Sequence, residues 1–174
     1  MKKYISISNI FFVMVLSYLI YKKAPAALKS FKMQNQQDLI LSDEVLTLKD
    51  IYNQSFSVVY PHVKIFWATW CQPCKIEMIR IQKMIDSGHI KAEQIIAISL
   101  DESKQDVLKT IKEKKYSFPI IWDDKQYFSN LYKIVGTPTI LVVDYNKKIV
   151  WATEGISPSL EFRLKNYLNK QKDF

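Results

Sequence analysis

Cys71 and Cys74 are the only two cysteines in 174 residues, and their spacing and flanks constrain this chain more than any other feature. An apolar, aromatic run over residues 63–68 precedes them with the character of a strand, and a segment of helical character follows. A strand that turns directly into a helix aims the helix's first unpaired N–H groups at the turn, where the dipole also favours negative charge. Cys71 on that turn is expected to ionise more readily than a free thiol. Cys74, three residues on and one turn inward, lies within reach to close a disulfide with it. That arrangement suits disulfide exchange with another molecule.

Two cysteines cannot staple a small secreted scaffold, so stability must come from packing and the thiols are free for chemistry. With 48% apolar and 24% charged residues the chain can build a core, and its length suits one domain with an appendage. The net charge of +8 resembles a nucleic-acid signal until it is divided. Residues 1–32 hold six lysines and no acid, which leaves 19 basic and 17 acidic side chains in the rest, a balance of only +2. A nucleic-acid footprint needs a basic face on the domain itself, and none is present in the pattern.

The excess lysines bracket an uncharged run of 18 residues, 4–21, between Lys2-Lys3 and Lys22-Lys23. As a helix it would be about 27 Å long, close to the ~30 Å hydrocarbon core of a bilayer. Tyr4, Tyr18 and Tyr21 near its ends suit the membrane interface. The rival is a cleaved signal peptide ending at Ala24-Pro25-Ala26, against which Lys22-Lys23 and the length of the run both argue. The expected organisation is a transmembrane anchor over 1–23, a tether over 24–37 and a folded domain over 38–174. Lysines on both sides blunt the positive-inside rule, so an outward-facing domain is expected from its chemistry and not from that count.

Along the domain, residues 39–41 and 45–48 alternate enough for short strands, as a hairpin at a sheet edge. Tyr60-Pro61-His62 is a turn into the strand 63–68. The helix after Cys71 runs to about Ser87, with Ile76, Ile79 and Met84 on its apolar period and Gly88 as its stop. A buried strand over 94–100 follows, then a capping box at Ser103 to Asp106 opening a helix with Val107, Leu108 and Ile111. Residues 118–121 are extended and 127–132 a short helix. Residues 139–144 and 148–153 form an antiparallel hairpin, and Ser157-Pro158 caps a last helix carrying Leu160, Leu164, Tyr167 and Leu168. This order predicts an α/β sandwich with a central mixed sheet flanked by helices.

C-x-x-C can also belong to a zinc site, but zinc wants four ligands, or three and a water. The other candidates, His62 and His89, each sit beside a turn-forming residue, where a solvated histidine is the ordinary reading. Between a strand and a helix the pair reads as redox-active.

The run from Trp67 to Cys74, Trp-Ala-Thr-Trp-Cys-Gln-Pro-Cys, resembles the active-site segment of thioredoxin-fold proteins. Val135-Gly136-Thr137-Pro138-Thr139 is similar to their cis-proline loop. Glu77, the insert over 101–122 with Phe118-Pro119, and Leu141-Val142-Val143-Asp144 before a hairpin resemble the membrane-tethered TlpA/ResA/DsbE-like branch. Residues 154–164 look closest to its suppressor-of-copper-sensitivity D type. The resemblance spans about residues 40–170 and implies a thioredoxin-like domain. It also implies that the Thr137 backbone beside a cis Pro138 pairs with an extended substrate near the disulfide.

Glu77, one turn into the active-site helix, has two readings: a solvated helix carboxylate, or a partly buried acid serving proton transfer to the resolving Cys74. Relatives with a buried Asp in the preceding strand carry it where this chain has Ile65, which leaves Glu77 as the available acid. Trp67 reads as core, and Trp70 as a shield for the sulfur and a contact for the partner. Asp101-Glu102 and Asp123-Asp124 read as caps and turns.

The expected activity is thiol–disulfide exchange outside the cytoplasmic membrane, with the domain facing the periplasm or cell exterior. Cys71 attacks, Cys74 resolves and no cofactor is needed. Pro73 brings no donor or charge that would make the disulfide strongly oxidising, which favours a reductase over an oxidase or isomerase. The resemblance implies a membrane electron donor of the DsbD or CcdA kind and protein thiols or disulfides as substrates. The rival of another class is a Cu(I)-binding metallochaperone using the same two thiolates. Met78 and Met84, the methionines nearest the pair, read as core.

Overall fold

The computed structural model describes residues 48–169, together with Met14, Ser17 and Tyr18 in helical conformation. The expected membrane span over 4–21 and the tether over 24–37 lie outside the described residues, those three positions apart. Among the described residues no helix is long and apolar enough to cross a membrane.

The element order is β1 (Leu48–Lys49), β2 (Ser55–Phe56), β3 (His62–Trp67), α1 (Gln72–Asp86), β4 (Ile95–Ser99), α2 (Lys104–Lys114), β5 (Ile120–Trp122), α3 (Tyr127–Leu131), β6 (Thr139–Val143), β7 (Ile149–Glu154) and α4 (Leu160–Leu168). The main sheet has the order β5-β4-β3-β6-β7. Strands β3, β4 and β5 run parallel, while β6 is antiparallel to both β3 and β7. The mixed α/β sandwich expected from the sequence is thus the observed one. Of the expected early strands only Leu48 is described; it opens a separate two-stranded ribbon with β2. That ribbon reaches the sheet edge through Ile51, whose N–H donates to the Ile120 carbonyl at 2.7 Å.

Strand β3 is central and buried along its whole length, as a strand covered on both faces must be. Its odd-numbered side chains, Val63, Ile65 and Trp67, pack against α1, α2 and α4 through Met78, Ile81, Ile111 and Leu164. Phe66 faces the opposite side, where Ile98, Leu141 and Tyr132 form a second core. By alternation His62 and Lys64 share that second face. Lys64 is buried there, its Nζ hydrogen-bonded to the Tyr132 hydroxyl and 4.5 Å from the centre of that ring.

The active-site helix ends as its sequence indicates, on Ser87 with Gly88 at φ +70°. Its buried stripe differs from the expected one. Cys74, Glu77, Met78, Ile81 and Met84 face inward, whereas Ile76 and Ile79 are exposed. The apolar period was read through two isoleucines when the continuous three-and-four spacing runs through Glu77. Helix α4 begins one turn element later than expected: Ser159 precedes Leu160 as cap, and Ser157-Pro158 belong to the turn before it. Ser103 caps α2 as predicted, its Oγ accepting from the Asp106 N–H at 3.3 Å. In the β6–β7 hairpin, Asp144 Oδ1 accepts from the N–H groups of Asn146 and Lys148, which builds the expected turn.

Candidate active site

At the C-terminal end of β3 the chain makes a turn over residues 68–71, closed by the Cys71 N–H donating to the Ala68 carbonyl at 3.1 Å. Cys71 is the N-cap of α1, with extended backbone at φ −84° and ψ 105°. Its Sγ accepts from the Cys74 N–H at 3.2 Å, as a capping side chain does. Pro73 falls in the first helical turn, where a missing N–H costs no helical bond. The two cysteines are joined by a disulfide, with their Cα atoms 5.2 Å apart. No acidic residue stands in the first turn of α1 to oppose a negative sulfur. Cys74 is fully buried and Cys71 retains 5% exposure, so Cys71 is the more accessible residue, though by a narrower opening than the sequence suggested.

The loop before β6 comes to the same end of the sheet. Phe66 is in register with Thr139, which sets Pro138 across from Trp67, at the strand end from which the cysteine turn departs. The Thr137–Pro138 peptide is cis. Gly155, after β7, donates its N–H to the Pro138 carbonyl at 2.8 Å and ties a third loop to this end. Trp70 is 71% exposed beside Cys71, while Trp67 is wholly buried, as expected of a core residue. Val135 and Ile156, from the second and third loops, are also exposed. The sequence reading passed over these two; their signal was only their nearness to the proline loop and to Gly155.

Glu77 is 0% exposed, which removes the solvated reading and keeps the buried one. One carboxylate oxygen accepts from the Ser157 N–H at 2.6 Å and the other from Arg80 Nη1 at 2.9 Å. Arg80 Nη1 also donates to the Ser157 carbonyl at 2.8 Å, and its Nε to Glu161 at 3.3 Å. Glu77 therefore lies on the helix face of Cys74, three residues away, and is bound to the turn before α4. Replacing it by Ala would leave the buried Ser157 N–H without its acceptor and Arg80 without its main partner. Urea unfolding of Glu77→Ala is expected to show a loss of about 2–3 kcal/mol.

Asp123 is a cap, its carboxylate accepting from the N–H groups of Phe128 and Ser129 at 3.0 and 2.8 Å. Asp101 departs from the turn reading: its buried carboxylate reaches across to Thr69 in the cysteine turn. Of the two histidines, His89 is exposed and pairs with Ser87 Oγ at 2.6 Å. His62 corrects the sequence reading, because it is the buried first residue of β3 and not a solvated turn residue. It lies at the far end of the strand from Cys71, out of reach of a shared metal. Among the described residues no three of His, Cys, Asp and Glu are grouped closely enough to hold a metal ion.

A model of the AhpC/TSA family matches residues 22–152. The thiol-disulfide oxidoreductase ResA of Oceanobacillus iheyensis is 38% identical over 104 residues, 60% of this chain and 53% of that protein. ResA of Bacillus anthracis is 30% identical over 105 residues, 60% of each. The match thus spans little more than half the length of these curated relatives. Among solved structures, StoA from Bacillus subtilis superposes with a TM-score of 0.59 at 25% identity, covering 70% of this chain and 94% of that one. A putative thiol:disulfide interchange protein DsbE from Chlorobium tepidum gives 0.52 at 26% identity, covering 63% and 78%. The thioredoxin-like fold implied by the sequence is therefore the fold observed.

Proposed function

The chain belongs to the AhpC/TSA family, and on that footing we propose that it is a thiol–disulfide oxidoreductase acting on other proteins. The observation that carries this reading is the disulfide closed between Cys71 and Cys74 on the N-terminus of α1. In the reduced chain the Cys74 N–H and the helix dipole favour the Cys71 thiolate. That thiolate attacks one sulfur of a substrate disulfide and expels the other as a thiolate, which takes up a proton. The Cys74 thiol then loses its proton and attacks Cys71 Sγ, releasing the second substrate thiol and closing Cys71–Cys74. Two electrons have passed from the dithiol to the substrate, and the chain is left oxidised as seen here.

Glu77, buried on the same helix face three residues from Cys74, accepts the Cys74 proton in this scheme. Trp70 and the Thr137–Pro138 backbone receive the substrate segment around the sulfur, within a rim that includes Val135 and Ile156. Reduction is the favoured direction, because Pro73 adds neither charge nor donor to hold the dithiol in its thiolate form. A donor of the DsbD or CcdA kind then returns the electrons. The lysine-flanked run over 4–21 supports an anchored, extracytoplasmic domain, and residues 154–164 support the suppressor-of-copper-sensitivity D type.

The test is a Cys74→Ala chain, which forms the mixed disulfide but cannot resolve it. Non-reducing gels of membranes expressing it are expected to show adducts that dithiothreitol removes and that mass spectrometry maps to Cys71. A chain that gathers no such adducts, with Cys71 free and reduced, overturns the reading.

A further inference from the structure

Asp101 follows β4, and its carboxylate is bonded to the cysteine turn in a way the exchange chemistry above does not use. Both oxygens accept from the Thr69 N–H at 3.0 Å, and Oδ1 also accepts from Thr69 Oγ1 at 2.6 Å. Asp101 is itself held from two further strands. Ser99 Oγ, at the end of β4, donates to Oδ2 at 2.7 Å, and Trp122 Nε1, at the end of β5, donates to the Asp101 carbonyl at 2.7 Å. The ends of β3 and β4 are thus fastened together through the buried Asp101 carboxylate, and the end of β5 through the main-chain carbonyl of the same residue. The Leu100 N–H, next in sequence, donates to the Trp67 carbonyl at 2.9 Å and keeps the two loops side by side.

Thr69 is the second residue of the turn that Cys71 closes on Ala68. An N–H at that position cannot pair within the turn and finds its acceptor only in Asp101. The direction in which Cys71 leaves the turn, and so the approach of its sulfur to the Cys74 N–H, depends on where Thr69 is held. We infer that Asp101 is a positioning residue for the attacking sulfur, acting through Thr69 to keep Cys71 in its N-cap geometry when the disulfide is open. Bonds to a carboxylate are the stronger kind, and two of the three donors here belong to one threonine. The inference rests on Cys71 being the nucleophile, and it concerns that residue's reactivity whatever the substrate.

The test follows alkylation of Cys71 by iodoacetamide in the reduced full chain, as rate against pH, in Asp101→Ala, Asp101→Asn and Thr69→Val. Asn keeps an oxygen for the Thr69 N–H without the charge, and Val keeps the shape of Thr while removing its hydroxyl. The loss of both Thr69 hydrogen bonds predicts alkylation below neutral pH slowed about tenfold in Asp101→Ala, and the loss of the hydroxyl bond alone about threefold in Thr69→Val. The rising limb of the pH profile should move upward in both. Asp101→Asn is expected to return the rate to within about threefold of the parent, because the geometry survives.

Parental rates and profiles in Asp101→Ala overturn the inference. So does Asp101→Asn slowed as much as Asp101→Ala, which would make charge and not position the cause. Should Asp101→Ala fail to fold, Thr69→Val decides: a slowed rate supports the latch and an unchanged one refutes it. Disulfide exchange by the parent chain, measured alongside, separates this result from the functional reading. A parent without exchange activity sinks that reading while the alkylation rates still judge Asp101.

Discussion

Cys71→Ser is expected to abolish disulfide exchange, lowering turnover of a protein disulfide to that of the reductant alone. The drop should be roughly a thousandfold or more, as removal of an enzyme's nucleophile generally costs. A serine at position 71 can still cap α1 with its oxygen, so the fold and the Asp101–Thr69 contacts should survive. Only the soft, ionisable atom is lost. Cys74 cannot stand in for it, because that residue is wholly buried whereas Cys71 keeps a small exposure. Insulin reduction with thermal unfolding as a control makes the measurement. Turnover retained by a folded Cys71→Ser chain would mean that the pair is idle and the cysteines are merely structural.

The second large effect is on stability in acid. Burial at the start of β3 and the neighbouring Lys64 charge push His62 down from 6.5 to about 3, with the Val59 backbone opposing them only in part. Neither ring nitrogen makes a hydrogen bond of ordinary geometry among the described residues, so the Val59 backbone offsets burial only weakly, and the ring packs edge-on to Tyr60 at 4.8 Å between centres. Above pH 6.5 the imidazole is neutral in both folded and unfolded chains, and pH changes nothing through this residue. Below 6.5 the unfolded chain takes a proton that the folded chain refuses until about pH 3. Stability therefore falls with falling pH by about 1.4 kcal/mol per unit across that window. From pH 6.5 to 4.5 the loss is about 2–3 kcal/mol, a sizeable part of an ordinary domain's stability. Urea unfolding at several pH values should show this slope, and His62→Phe should remove most of it. Parallel slopes in the two chains would mean that other groups set the acid limit.

What the sequence made legible follows strong local signals. The strand, the C-x-x-C turn and the helix with Gly88 at its end were all readable, because each is enforced within a few residues. The same holds for Ser103 capping α2 and for the β6–β7 hairpin, where Asp144 builds its own turn. The proline loop was readable through its resemblance to a known pattern. The errors arose where tertiary partners decide. Hydropathy alone places Ile76 and Ile79 in the core, but Glu77 occupies the inward stripe because Ser157 and Arg80 satisfy its oxygens. Ser157 reads locally as a helix cap, because nothing nearby in sequence shows that its N–H serves a residue 80 positions away. Pro61 makes His62 read as a turn residue, although its alternation with Lys64 and Phe66 marks it as strand. Asp101 looked like a turn acid because nothing local announces a contact between positions 101 and 69.

Strand β3 carries the imidazole at its entrance and leads to the sulfur pair at its exit, about 17 Å apart along the backbone. Endurance and reactivity are therefore governed from separate addresses on a single β-segment. Hardening this domain for an acidic habitat calls for changes around residue 62, none of which touches the loops proposed above to receive a substrate. Retuning its choice of partner calls for changes in those loops, none of which alters the proton that limits its survival. A chain built this way can adapt to a new environment and to a new client as two unlinked problems.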